Sequence, residues 1–286
     1  MSAQATSAPH SLEELRRIFD ARLESGDLEL PVLPEAAERV VNATRDETID
    51  VRKLAALVTR DQSMAAHVLR MANSALFNTG TPIVSLQQAV ARLGMDRIRQ
   101  ISLQVACQGS VFFVPGRMLE VRALFREALG AAFLTAEIAR MRRRNVEEAY
   151  LCGLFHAVGR PVLLQLLCKI EKQSGVLIEP KLNSTILQEF HTRTGAKLIQ
   201  QWGLSSTLQT SVLWHENPEA APEPNDGAMM TNLGAALSQF ALGRGQWSEP
   251  QIRVHTMIAP LNLYPEDVDM LLVHCDAIDS LVHDLS

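Results

Sequence analysis

Apolar residues return at helical spacing along most of the chain, and polar helix-starting signals punctuate them. Met118, Val121, Phe125, Ala128, Leu129, Ala132, Phe133 and Ala136 fall on one face of a 3.6-residue repeat. Ser11 with Glu14, Ser85 with Gln88, Asn145 with Glu148, Ser206 with Gln209 and Ser248 with Gln251 all have capping-box spacing, in which each side chain satisfies an otherwise orphan amide. Gly26, Gly94 and Gly203 follow periodic segments as helix stops. No sustained period-two alternation bounded by hairpin turns occurs. These features predict an all-α fold. Its clearest breaks are Val114 to Gly116 and the Pro-rich run Asn217 to Asp226. No repeat of solenoid period is present.

Charge and cysteine usage exclude several functions for such a bundle. With 32 acidic against 27 basic residues, a net charge of −5, the chain lacks the basic face that neutralises phosphate backbones. Its densest basic cluster, Arg140 to Asn145, sits where a helix should end and where cations complement the helix dipole. Three tryptophans and two tyrosines offer few platforms for stacking bases. No direct binding of nucleic acid is expected. Cys107, Cys152, Cys168 and Cys275 lie far apart, which fits small buried hydrophobes in a reducing compartment. The N-terminus has no basic segment followed by an apolar one, and no apolar run approaches about 18 residues, so a cytoplasmic protein without membrane insertion is expected. No G-x-S-x-G elbow, phosphate-binding glycine loop, H-E-x-x-H helix or C-x-x-C pair is found. The serines of "GLSSTLQT" read as a helix start.

Three linked segments fill the first half: "LPVLPEAAERVV" from Leu30, "RDQSMAAHVLRMANSALF" from Arg60 and "IVSLQQAVARLGMDRIRQISL" from Ile83. Together they resemble the N-terminal half of the HDOD family, bacterial signalling domains related to HD-type metal phosphohydrolases. Gln62 stands where that family usually has proline, which removes a fixed φ but leaves Asp61 free to cap. Asn73 and Ser74 have two readings. They either bond the terminal carbonyls of their helix or face a partner, since binding often lives at element ends.

The second half follows the HD-like part of the same family in order, with "FREALGAAFLTAEIA", "YLCGLFHAVGRPVLL", "FHTRTGAKLIQQWGL" and "SVLWHENP". The resemblance thus spans roughly residues 30 to 240. HD-type hydrolases hold metal ions with histidines and aspartates from several helices, and the adjacent His-Asp pair is central to activating water. At the corresponding positions this chain has Glu127 for the first histidine, a retained His156, Ala157 for its aspartate, a retained His191, and Trp214-His215 for a His-His pair. The helix "MMTNLGAALSQF" offers no aspartate for the last ligand. The resemblance therefore implies a degenerate site with no catalytic residue and no cofactor. A residual metal set of Glu127, His156, His191 and His215 is the alternative. In either case Glu127, His156, Ala157, His191, Trp214 and His215 should line one cleft.

The implied organisation is an extension with an amphipathic helix at 1–27, an HDOD domain at 28–241 divided into lobes 28–112 and 113–241, and a helical extension at 242–286. The terminal helices either cover the core or dock a partner. The function implied is non-enzymatic regulation through contact with another signalling protein: a cyclase, phosphodiesterase, kinase or response regulator. Two alternatives stay open, a receptor that reuses the cleft for a nucleotide second messenger and a residual metal-dependent phosphohydrolase.

Overall fold

A computed structural model describes residues 11–285 except 47, 75, 76, 78, 79, 109 and 246. The chain is all-α, with no strand among the described residues. Its helices are α1 (Leu12–Ser25), α2 (Glu35–Ala43), α3 (Val51–Thr59), α4 (Gln62–Asn73), α5 (Leu86–Gln108), α6 (Met118–Met141), α7 (Val146–Phe155), α8 (Gly159–Ser174), α9 (Pro180–Gln201), α10 (Ser206–Trp214), α11 (Asp226–Ala241), α12 (Glu249–Arg253) and α13 (Pro265–Leu285).

Most helix starts follow the capping pattern. Ser11 Oγ accepts from the Glu14 amide at 3.1 Å, Asp61 Oδ1 from Met64 at 2.9 Å and Asn145 Oδ1 from Glu148 at 3.0 Å. Gln251 reaches back to the Ser248 amide at 2.9 Å. One start is displaced from its expected position: Ser205, not Ser206, caps α10, taking the Leu208 amide at 3.2 Å. Gly26 and Gly203 adopt left-handed backbone after their helices. At Gly94 (φ 79°, ψ 167°) the helical path breaks, and α5 resumes in a new direction.

Helices α2, α3 and α4 pack around α5, while α6, α7, α9, α10 and α11 form a second group joined to it through α5, α6 and α7. The buried apolar residues nevertheless make one continuous cluster running from Leu15 to Val282. At the junction, the Arg97 guanidinium lies 5.2 Å from the Phe77 ring and 5.0 Å from Tyr150. The flanking helices belong to this body. α1 buries Leu15, Phe19 and Leu23 and lies on α9, where Phe19 meets Phe190 at 5.6 Å and Arg193 pairs with Asp20 at 2.7 Å. α13 packs on α6 and α11 and touches α4.

Close helix contacts in the second group rest on missing side chains. A Cβ on Gly153 would collide with the α6 backbone at Ala131, and one on Gly159 would run into the carbonyl of His191 on α9. One stretch, Val146–Ser174, is long and apolar enough to cross a membrane, yet 83% of its apolar window is buried inside the fold, as expected of core helices.

Candidate histidine–carboxylate site

Four helix ends and faces converge on the second group. His156 caps the C-terminus of α7, His215 caps α10, and His191 projects from the middle of α9, which Gly159 allows to approach α8 closely. All three imidazoles are buried, with exposures of 4% for His156, 0% for His191 and 2% for His215. The His156 and His215 rings meet edge-on at 5.3 Å, as do those of His191 and His215.

Hydrogen bonding fixes each ring's tautomer. The Nδ1 atoms lie 2.7 Å from the Gly153 carbonyl for His156, 2.9 Å from Leu187 for His191 and 2.8 Å from Val212 for His215. A carbonyl oxygen only accepts, so Nδ1 carries the proton in every case, and in the neutral rings Nε2 presents a bare lone pair. His191 Nε2 and His215 Nε2 stand 3.4 Å apart, and Glu216 Oε1 lies 3.2 Å from the first and 3.7 Å from the second. Among the described residues, His191, His215 and Glu216 form a group able to hold a metal ion.

Electrostatics follow from this crowding. Burial pushes His156 and His215 below the ordinary imidazole range, and for His215 repulsion from His156 and His191 adds to it. When His191 Nε2 carries a proton, its hydrogen bond is the first cause that lowers the Glu216 carboxyl to about 2, with attraction to His215, His191 and Arg160 adding to it. Arg160 Nη2 lies 3.6 Å from Glu216 Oε1 and donates to Gln188 at 3.3 Å, so a guanidinium borders the solvent side of the cluster. Asn232 Nδ2 donates to the His215 carbonyl at 2.7 Å and ties α11 to the same turn.

The sequence-predicted residues divide. His156, His191 and His215 come together, and Ala157 is buried on the turn after His156. Glu127 is engaged elsewhere: its Oε1 accepts from Gln239 at 2.7 Å and its carbonyl accepts from Ser238 at 2.8 Å, while its charge still raises the His156 pKa. Trp214 lines a separate hollow of about 460 Å³ with Thr210, Pro222, Glu223 and Asp226. Consecutive helical residues point about 100° apart, so Trp214 and His215 do not share a direction. Asn73 and Ser74 serve the local fold. Asn73 clasps the 81–85 segment, donating to the Ile83 carbonyl and accepting from its amide, both at 2.7 Å, and Ser74 Oγ donates to Met71 at 2.8 Å. The residue sequence reasoning missed is Glu216. Its only signal was its place directly after His215 in "WHENP".

The fold is shared with known proteins. The chain superimposes on a proposed metal-dependent phosphohydrolase of Shewanella amazonensis SB2B with a TM-score of 0.77 and 18% identity, covering 96% of this chain and 99% of that one. An HDOD domain protein of unknown function from Geobacter sulfurreducens gives 0.72 and 21% identity over 96% and 99% of the two chains. A proposed signal transduction protein of Marinobacter aquaeolei VT8 gives 0.64 and 23% identity over 96% and 66%. At these identities the likeness establishes the shared fold. In sequence, an uncharacterised protein of Treponema pallidum (strain Nichols) is 24% identical over 208 residues, 68% of this chain but only 39% of that longer protein. The sequence profile of the HDOD domain matches residues 30–218, about two thirds of the chain, and with the helical order and the histidine cluster it establishes that the chain belongs to the HDOD domain family.

Proposed function

We propose that the chain is a bacterial signalling module that acts by binding another signalling protein and not by hydrolysing a phosphoester. The observation that carries this reading is the residue beside His156. Ala157 can neither bridge two metals nor neutralise their charge, and the imidazoles around it are 4%, 0% and 2% exposed. A hydrolytic centre needs a coordination position that substrate and water can both reach. Glu127, bonded to Gln239, leaves a second metal without its ligand on that side. Partner binding has surface to work with: α13 exposes Met270 and Val273, and Tyr264 precedes them, all apolar groups outside the core. The partner classes in view are a cyclase, phosphodiesterase, kinase or response regulator.

The second-messenger alternative loses its stacking face. Trp214 lines a hollow that also carries Glu223, whose charge repels a phosphate, and Asp226, which is already paired with Arg144 at 2.6 Å. The test has two arms. Purified protein with added manganese or zinc is assayed against a phosphomonoester and cyclic dinucleotides, and no turnover above the metal blank is expected. Tagged protein is recovered from its native cells beside a Met270→Asp/Val273→Asp variant, and a signalling protein retained by the first and lost by the second is expected. Turnover that disappears in His191→Gln would overturn the reading.

A further inference from the structure

While both imidazoles are neutral, three hydrogen-bond acceptors face one another beside α9 and α10 with no donor between them. His191 and His215 each commit Nδ1–H to a backbone carbonyl, so their Nε2 lone pairs, 3.4 Å apart, and the Glu216 carboxylate repel unless a cation sits among them. We infer that His191 Nε2, His215 Nε2 and Glu216 Oε1 bind one borderline divalent d-block ion of the zinc class, clasping α9 to α10.

Size and donor set both fit. Four ligands about 2.0–2.1 Å from a tetrahedral zinc ion lie about 3.3–3.4 Å from one another. The three edges here are 3.4, 3.2 and 3.7 Å, so a closure of a few tenths of an ångström on one edge completes that face. Two imidazoles and one carboxylate suit a borderline ion and not magnesium or calcium, which prefer oxygen. The backbone carbonyls behind each Nδ1–H supply the outer-shell support typical of metal-bound histidines. With the two imidazoles 0% and 2% exposed, an enclosed water completes the shell out of reach of a substrate. Arg160, 3.6 Å from Glu216, is the opposing group, because its charge competes for the carboxylate and repels the ion.

The clasp differs from the ligand set the family resemblance implied: Glu216 replaces Glu127 as the carboxylate, and His156 is a neighbour. It also reverses the expectation of a chain without a metal. It goes beyond the partner-binding reading and stands or falls separately from it.

The competing occupant is a proton shared among the same three atoms, and a titration separates the two. Metal-stripped full-length protein is titrated with cobalt(II) near neutral pH, followed by visible absorption and calorimetry, with zinc as competitor. The expected result is one equivalent bound per chain, with the intense visible bands of four-coordinate cobalt, displaced by zinc. Glu216→Gln should weaken binding at least tenfold, and His215→Gln should abolish it. Arg160→Gln should tighten it several-fold, a gain that a purely structural role for Arg160 would not produce. Glu216 is exposed and Arg160 half-buried, and circular dichroism checks that their variants keep the fold. No saturable binding, or binding unchanged in Glu216→Gln and His215→Gln, would overturn the proposal and leave the proton as the occupant.

Discussion

The two ends of the histidine cluster have the same parentage but different chemistry. At the α6–α7 end, Glu127 hydrogen-bonds to Gln239, Ala157 brings no polar atom, and His156 points only its Nδ1–H at a carbonyl. At the α9–α10 end, two imidazole lone pairs and a carboxylate crowd within 3.7 Å. The first end has settled into ordinary core hydrogen bonding, and the second still demands a cation. On the proposed reading the two ends part company: Ala157 supplies no bridging carboxylate at one, while a mononuclear ligand set remains at the other.

Changes at either end separate them. The largest effect is expected from Gly159→Ala. The new methyl meets the His191 carbonyl on a packed helix, and the repacking should cost about 3 kcal/mol in a denaturant titration. It should also weaken cobalt binding by displacing α9, whereas a cost without any change in binding would separate helix packing from the clasp. Next comes the ion itself: at one hundred times its dissociation constant, zinc should add about 2.7 kcal/mol of stability. His215→Gln should remove that gain.

Acid should act on both ends in a fixed order. The folded-state pKa values of His156 and His215 lie below their unfolded values near 6.5, so their contribution is present above about pH 6.5 and is lost as pH falls. The slope is at most about 1.4 kcal/mol per pH unit for each imidazole. Glu216, lowered from 4.5 to about 2, adds stability that is lost between those values. Chemical denaturation at a series of pH values reads both windows. A flat profile from pH 7 to 5 would show that the rings titrate in the fold as they do in the unfolded chain. His156→Gln should cost only an ordinary core change, about 1–2 kcal/mol, and leave the zinc gain intact. The smallest effect is expected from Glu127→Ala, about 1 kcal/mol for the lost Gln239 bond, again with metal binding unchanged. A large loss of zinc affinity in either of these last two variants would move the ion to the other end.

Much of this architecture was legible in the sequence because helices advertise themselves. The periodic apolar face of α6, the Asp61 and Asn145 caps and the glycine stops each rest on local physics that tertiary packing left in place. The three histidines were legible for the same reason, each lying on a helix whose order was recognisable. Trp214 was set at the site because the resemblance gives it the place of one histidine of a His-His pair, although a helix turns neighbouring side chains about 100° apart and Trp214 lines another hollow. Glu216 was missed because it sits just past the end of α10, where helical periodicity no longer predicts direction. Asn73 could be read as surface or staple until the fold put the Ile83 backbone opposite it. The cap at Ser205 in place of Ser206 shows that two adjacent serines do not choose between themselves from pattern alone.

Anomalous diffraction at the zinc edge from crystals loaded with one equivalent of zinc tests most directly which end of the cluster holds a cation. One peak is expected about 2.0–2.2 Å from His191 Nε2, His215 Nε2 and Glu216 Oε1. A peak seated against His156 and Glu127, or the absence of any ordered peak in the loaded crystals, would contradict it.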